Sequence, residues 1–248
     1  MTKNLDRATE LLRTSAHTAA FTGAGISVES GIPPFRGPNG LWSTYDPSVL
    51  DLRRFHAAPK QTWEIIREIF YEFFGAAEPN RAHHVLARME MEGLLHAVIT
   101  QNIDNLHQKA GSRNVWEFHG TSRSLVCLEC GARHGVDGLD LQELPPRCDC
   151  GGVLKPDFIF FGEEIPPAAY QASVEESAAA EVFLVVGTTG EIMPASLIPY
   201  DAKQNGAAII EVNTEPSAFT DSITDVFLQG PGTEVFAELE PLVLGEAP

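Results

Sequence analysis

The chain has 248 residues, 44% of them hydrophobic, and 17 Lys and Arg against 34 Asp and Glu, for a net charge of −17. That length suits one sizeable domain or a large domain with a small satellite, and the acidic balance argues against a nucleic-acid partner, because phosphate contacts need surplus cations. The charged start from Met1 to Arg7 lacks an apolar signal region and no apolar run reaches membrane-spanning length, so a cytoplasmic protein without a membrane partner is expected.

Leu5, Ala8, Leu11 and Leu12 recur at helical spacing and predict a helix over 4–16. An apolar strand through Ala19-Ala20-Phe21-Thr22 then runs into Gly23-Ala24-Gly25, where missing side chains let the backbone approach a bulky ligand. Ile26 to Ser30 opens a helix whose free N–H groups favour a phosphate. Pro33-Pro34 blocks its continuation, and Phe35-Arg36 adds a flat ring and a fixed positive charge. The stretch reads as a nucleotide pyrophosphate site. The dinucleotide fingerprint wants a third glycine at position 28, where this chain has Val28, so an ordinary tight turn stays open on these residues alone. The Pro/Gly-rich loop from Gly31 to Gly40 is long enough to serve as a lid.

Residues 60–75 carry Trp63, Ile65, Ile66, Ile69, Phe70, Phe73 and Phe74, apolar on more than one face, which predicts a core helix or a groove wall. Asn80 caps a helix from Arg81 to Glu92 that stops at Gly93. Buried strands follow over 96–100, 115–118, 182–186, 207–213 and 226–228, with helices over 168–180, 194–205 and 232–242 between them. Alternating strands and helices with continuous apolar strand runs predict an α/β fold, a Rossmann-like parallel sheet with helices on both faces. Gly23-Ala24-Gly25, Gln101-Asn102-Ile103-Asp104, Gly187-Thr188-Thr189 and Asn213 then sit at the polar ends of four strands, at one mouth.

All four cysteines fall in one segment, Cys127-x2-Cys130-x17-Cys148-x-Cys150. Two chelating pairs in a cytoplasmic chain point to one structural zinc held by four thiolates, with no open coordination position. The second pair has one intervening residue, and Gly151-Gly152 can supply the backbone freedom it needs. His134 is a possible substitute ligand, though a surface histidine is the preferred reading. His119 ends a strand and precedes Gly120, a position suited to a general base. His83, His84 and His107 lie on helices and are read as packing or surface residues.

These motifs, with Gly31-Ile32-Pro33, Phe118-His119-Gly120, Lys155-Pro156-Asp157 and Phe160-Phe161-Gly162-Glu163, occur in an order that resembles the sirtuins over essentially the whole chain. The resemblance is to the small bacterial and archaeal members of these NAD-dependent protein-lysine deacylases. It implies a discontinuous NAD-binding domain over 1–37, 81–121 and 157–248. It also implies a small domain from a helical insertion at 38–80 and a zinc ribbon at 122–156. By resemblance, Gly23, Ala24, Gly25, Ser27, Phe35 and Arg36 bind the cofactor, with Ser27 on phosphate and Phe35 shielding the reacting ribose. Gln101, Asn102, Ile103 and Asp104 would hold the nicotinamide half, and Gly187, Thr188, Thr189 and Asn213 the adenosine half. His119 and Asn102 would be catalytic.

The implied partners are acyl-lysine proteins or peptides, bound by a monomer as an added strand between Phe161-Gly162-Glu163 and the loop around Gly190. Ile159 and Phe160 would line the acyl tunnel. The implied reaction transfers the acyl group to ADP-ribose, with nicotinamide released and His119 taking a proton from a ribose hydroxyl. Acetyl is the first expectation, since no Tyr and Arg pair for a succinyl group can be placed on the 65–70 helix. An ADP-ribosyltransferase would use the same NAD site, and a non-enzymatic NAD-sensing module would bind without turnover. A zinc-ribbon nucleic-acid binder is disfavoured by the charge.

Overall fold

A computed structural model of the protein describes residues 2–37, 40–137, 139 and 141–245. Nine strands occur among them: β1 (Thr18–Thr22), β2 (Ala97–Thr100), β3 (Val115–Glu117), β4 (Gly120–Cys127), β5 (Arg133–Gly135), β6 (Leu154–Phe158), β7 (Val182–Val186), β8 (Ala208–Asn213) and β9 (Val226–Gln229). Six form a parallel sheet in the order β3-β2-β1-β7-β8-β9. That is the order of a doubly wound fold, and its direction of winding reverses between β1 and β7.

Continuous apolar runs became strands covered on both faces, with every residue of β1, β2 and β7 buried. The pleat sorts them. Ala20, Val98 and Leu184 share one register line and join Leu12, Leu86 and Phe236 in the core on one face. Phe21, Ile99 and Val185 form the next line and join Ile209 and Phe219 on the other face.

A third core lies apart from the sheet. Trp63, Phe55, Phe70, Leu125, Leu154 and Phe158 pack together, joining the helical insertion to a small antiparallel sheet, β5-β4-β6. The Trp63 indole N–H donates to the Leu154 carbonyl at 2.7 Å, so the two insertions share a buried polar tie as well as apolar contacts. Pro38 and Asn39 of the expected lid loop lie outside the described residues, as do Gly138 and Asp140 of the second insertion. The expected domain limits at 1, 38 and 248 fall on such positions too.

One helix differs from expectation. The helix at 60–75 is α-helical over Pro59–Ile66, then widens to a π-helix over Arg67–Phe73. The Phe74 N–H reaches the Ile69 carbonyl across five residues, which lines Ile69 and Phe74 up toward one core and leaves Phe73 53% exposed. The helix after β2 runs over Leu106–Ala110 and follows Asn105, which takes a left-handed φ of 63°. No helix among the described residues is long and apolar enough to cross a membrane.

Candidate functional site

The point where the sheet reverses is built from backbone against backbone. Gly23 N–H donates to Val186 O at 3.0 Å, and Gly25 N–H to Gly187 O at 2.8 Å. A Cβ on Gly25 would stand 2.6 Å from Gly187 Cα, and one on Gly187, at φ +62°, would stand 2.3 Å from Ile26 N. The glycines thus serve first the contact between the β1 and β7 ends. The helix expected to open at Ile26 begins instead at Ala24, and the Ile26 N–H donates to Gly23 O at 3.2 Å. The segment is a seven-residue 3-10 helix, Ala24–Ser30, and the Gly25 amide is already engaged. Gly187→Ala is expected to destabilise the fold by about 3 kcal/mol or more, through left-handed strain plus the clash. A urea midpoint equal to wild type would contradict that account.

Beyond these ends opens a cleft of about 1030 Å³. It brings Gly23, Ala24 and Gly25 together with Gln101, Asn102 and Ile103, with Gly187, Thr188 and Thr189, and with Asn213, as the strand-end reading required. Gln101 Nε2 donates to Thr188 Oγ1 at 3.0 Å and Asn213 Nδ2 to Thr188 O at 3.0 Å, tying three strand ends across the cleft floor. Phe35 and Arg36 line the same cavity from the loop side. Ser27 does not. It is fully buried, and its hydroxyl donates to Asp104 Oδ2 at 2.7 Å while accepting from Asn102 Nδ2 at 3.2 Å. In this arrangement Ser27 buttresses Asp104.

Asn102, Ile103 and Asp104 also wall a side recess of about 10 Å³ with Phe35, Ile32 and Phe74. That is room for about one water. Burial pushes the Asp104 carboxyl above its ordinary value, against the pull of its hydrogen bonds from Leu106 N–H and Ser27. Phe74 and Ile32 were missed as site residues. Phe74 sits in the apolar run read as a core helix or groove wall and Ile32 in the loop read as a lid, and the π-helix brings Phe74 round to the recess.

His119 is half-buried and lines the cleft. One ring nitrogen, Nδ1, lies 3.0 Å from the Gln101 carbonyl, which can only accept, so Nδ1 carries the proton. Nε2 of the neutral ring is then the basic nitrogen. Burial moves its pKa below the usual 6.5, partly opposed by the Gln101 carbonyl, so the base form dominates at neutral pH. His83 and His107 are packing residues as expected, pushed down by burial, His83 to about 4 and His107 well below its ordinary value. Thr22 Oγ1 and His107 Nε2 lie 2.9 Å apart beneath the site.

The opposite wall comes from Ile159 to Glu163, all of which reach the cleft. Ile159 N–H donates to the His119 carbonyl at 2.9 Å, fixing this wall to the histidine's own backbone. Phe160 is fully buried, edge-on to Phe55 at 5.4 Å. The Phe161 ring is 52% exposed, but its N–H and carbonyl are engaged with Leu50 O at 2.7 Å and Leu52 N at 3.3 Å. Phe161 therefore offers side-chain surface, not a free ladder, to an added strand. Met193, 63% exposed, faces the cleft from the other side.

Apart from the cleft, the four cysteine sulfurs all lie within 4.8 Å of one another, with pairs at 3.5 to 3.7 Å. A tetrahedron with 2.3 Å metal–sulfur bonds has edges of about 3.8 Å, so the donor set fits zinc. The Gly151 N–H turns back onto Cys148 O at 2.8 Å with φ +89°, and a Cβ on Gly152 would stand 2.6 Å from Cys127 Sγ. These two glycines let the short Cys148-x-Cys150 pair close. His134 is not the surface residue expected. β5 sets its Nε2 3.2 Å from Cys148 Sγ, where it donates to a thiolate instead of supplying a fifth ligand.

A doubly wound sheet, a base-bearing histidine and a cleft at the winding reversal define a nucleotide-binding enzyme of the α/β class. The Sir2 family model matches residues 23–194. NAD-dependent protein deacylase 2 of Pyrobaculum aerophilum is 45% identical over 93% of this chain and 92% of its own length. The NAD-dependent protein deacetylase of Sulfurisphaera tokodaii is 43% identical over 90% of each chain. A solved complex of Sir2 with p53 peptide and NAD+ superimposes with a TM-score of 0.87, at 34% identity over 95% of this chain and 96% of that one. The chain belongs to the Sir2 family, the sirtuins.

Proposed function

We propose that the protein is an NAD-dependent protein-lysine deacylase, with acetyl-lysine as its first substrate. One observation carries the reading. A neutral histidine with its basic nitrogen set by the Gln101 carbonyl shares a single cleft with the glycine strand ends and an apolar wall. NAD bound there supplies an electrophilic ribose carbon and nicotinamide as leaving group. The chain's own residues do the rest. Gly23, Ala24, Gly25, Thr188, Thr189 and Asn213 bind the nucleotide, and Gln101, Asn102, Ile103 and Asp104 orient the nicotinamide half. Phe35 excludes water, Arg36 offers a cation at the lid, and His119 accepts a proton from a ribose hydroxyl.

Ile159, Phe160, Phe161, Gly162 and Glu163 form the acyl-peptide wall, and the four cysteines hold one structural zinc. The division into a nucleotide domain and a two-insertion small domain, with the cleft between, belongs to the same proposal. So do a monomeric state and a cytoplasmic location. The test mixes the protein with NAD and an acetylated peptide. Deacetylated peptide, nicotinamide and O-acetyl-ADP-ribose in equal amounts are expected. ADP-ribose attached to protein, with the peptide still acetylated, would replace this reading by ADP-ribosyl transfer.

A further inference from the structure

Lys155 is a buried cation that the reaction does not use. It sits on β6 with 3% of its surface exposed, and all three of its ammonium hydrogens have acceptors. They go to Pro156 O at 2.7 Å, Phe158 O at 2.9 Å and Glu163 Oε2 at 2.9 Å. The ammonium also stands 4.3 Å from the centre of the Phe160 ring. Glu163 Oε2 accepts a second bond, from Phe160 N–H at 2.7 Å. Around one charge, therefore, the chain folds back from the end of β6 to the cleft wall.

Phe160 also packs on Phe55 and Phe158, and Glu163 N–H donates to Phe160 O at 3.0 Å, but no sheet ladder shapes this wall. Ile159 and Phe160 lie beyond β6 and belong to no strand, and Phe161 makes only an isolated bridge to Asp51. Its other backbone ties run to the His119 and Leu50 carbonyls and to the Leu52 amide. A buried ion pair is a poor device for stability alone, because an apolar pair of similar volume holds a core at least as well. Burial lowers the Lys155 pKa, a pull that the facing Glu163 carboxylate partly opposes.

We infer that Lys155 is a positioning residue for the acyl peptide. Its ammonium fixes the Phe160–Glu163 wall through Glu163, Phe158 O and the Phe160 ring, without touching NAD or the reacting atoms. The inference rests on the deacylase reading and adds a residue to it. It predicts a split between substrates: the peptide side of the cleft depends on Lys155 and the nucleotide side does not.

Lys155→Met should raise the KM for an acetylated peptide about tenfold, with the KM for NAD and kcat at saturating peptide within about twofold of wild type. Lys155→Arg, which keeps the charge, should bring the peptide KM back to within about threefold. Because Lys155→Met leaves the half-buried Glu163 carboxylate without its partner, the paired change Lys155→Met/Glu163→Met carries the same comparison with no unpaired charge. Its melting temperature should approach wild type while the peptide KM stays high. An unchanged peptide KM in a folded variant overturns the inference, and so does an equal rise in both KM values. Failure of both Met variants to fold assigns Lys155 to the core alone and overturns it as well. Wild-type protein that deacetylates nothing overturns the deacylase reading itself, a different result from active wild type with an indifferent Lys155.

Discussion

His119→Ala is expected to cut turnover of an acetylated peptide by about 10²–10⁴-fold while leaving the fold and NAD affinity near wild type. The side chain makes one hydrogen bond, to the Gln101 carbonyl, and an edge contact with Phe118 at 5.6 Å between ring centres. Removing it leaves the sheet intact, since Phe118 itself is the buried residue there. The nucleotide-binding ends of β1, β7 and β8 are held by their own bonds across Thr188 and Gly187, none of which involves the imidazole.

The same residue fixes the acid side of the pH profile. Burial lowers the His119 pKa below 6.5, and the working form is neutral, so kcat/KM should hold as pH falls through 6.5 and drop only below it. A variant with wild-type turnover, or a wild-type profile already half lost above pH 6.5, would remove His119 from the role of base.

Removing the metal should have the other large effect, on stability. The third core is continuous with the cysteine segment, with Cys127 and Cys148 buried beside Leu125 and Leu154. Thiolate ligands held by zinc contribute folding free energy outright. Cys148→Ser is therefore expected to cost about 3 kcal/mol or more, which for a chain of this size lowers Tm by roughly 6–12 °C or more. Metal analysis of the wild-type protein should return one zinc per chain. A protein that keeps its Tm and activity after complete chelation would assign the cysteines another role.

How far the sequence revealed this arrangement depends on the range of the forces involved. β7 was readable because Val182 to Val186 is an uninterrupted apolar run, and a strand buried on both faces can take nothing else. The Arg81–Met91 helix was readable because Asn80 caps it through its own side chain. The common mouth followed from strand ends alone, as polar residues after parallel strands gather on one edge. The bond from Ser27 to Asp104 was not legible, since the two residues are remote in sequence and nothing local announces it. The close approach of Gly25 to the backbone at Gly187 was not legible either, because it joins strands far apart in sequence. His134 was taken for surface because β5 is too short to announce itself, and its pairing with β4 alone turns the ring toward Cys148. Phe74 entered the site through a π turn, which no apolar periodicity of 3.6 encodes.

The order of the strands has a consequence for how the molecule is made. β1, near the start of the chain, pairs with β7, Ala19 opposite Phe183, so more than half the polypeptide must emerge before the central pair of the sheet can close. Contacts of such long sequence separation are slow to form, since loop closure precedes any reward. During synthesis β1 has only β2 and β3 for company, with its other edge open to strangers. The zinc ribbon lies inside the intervening stretch and can fold on its own short-range ligands meanwhile. Assembly is thus ordered by chain length, with the nucleotide cleft the last thing to exist.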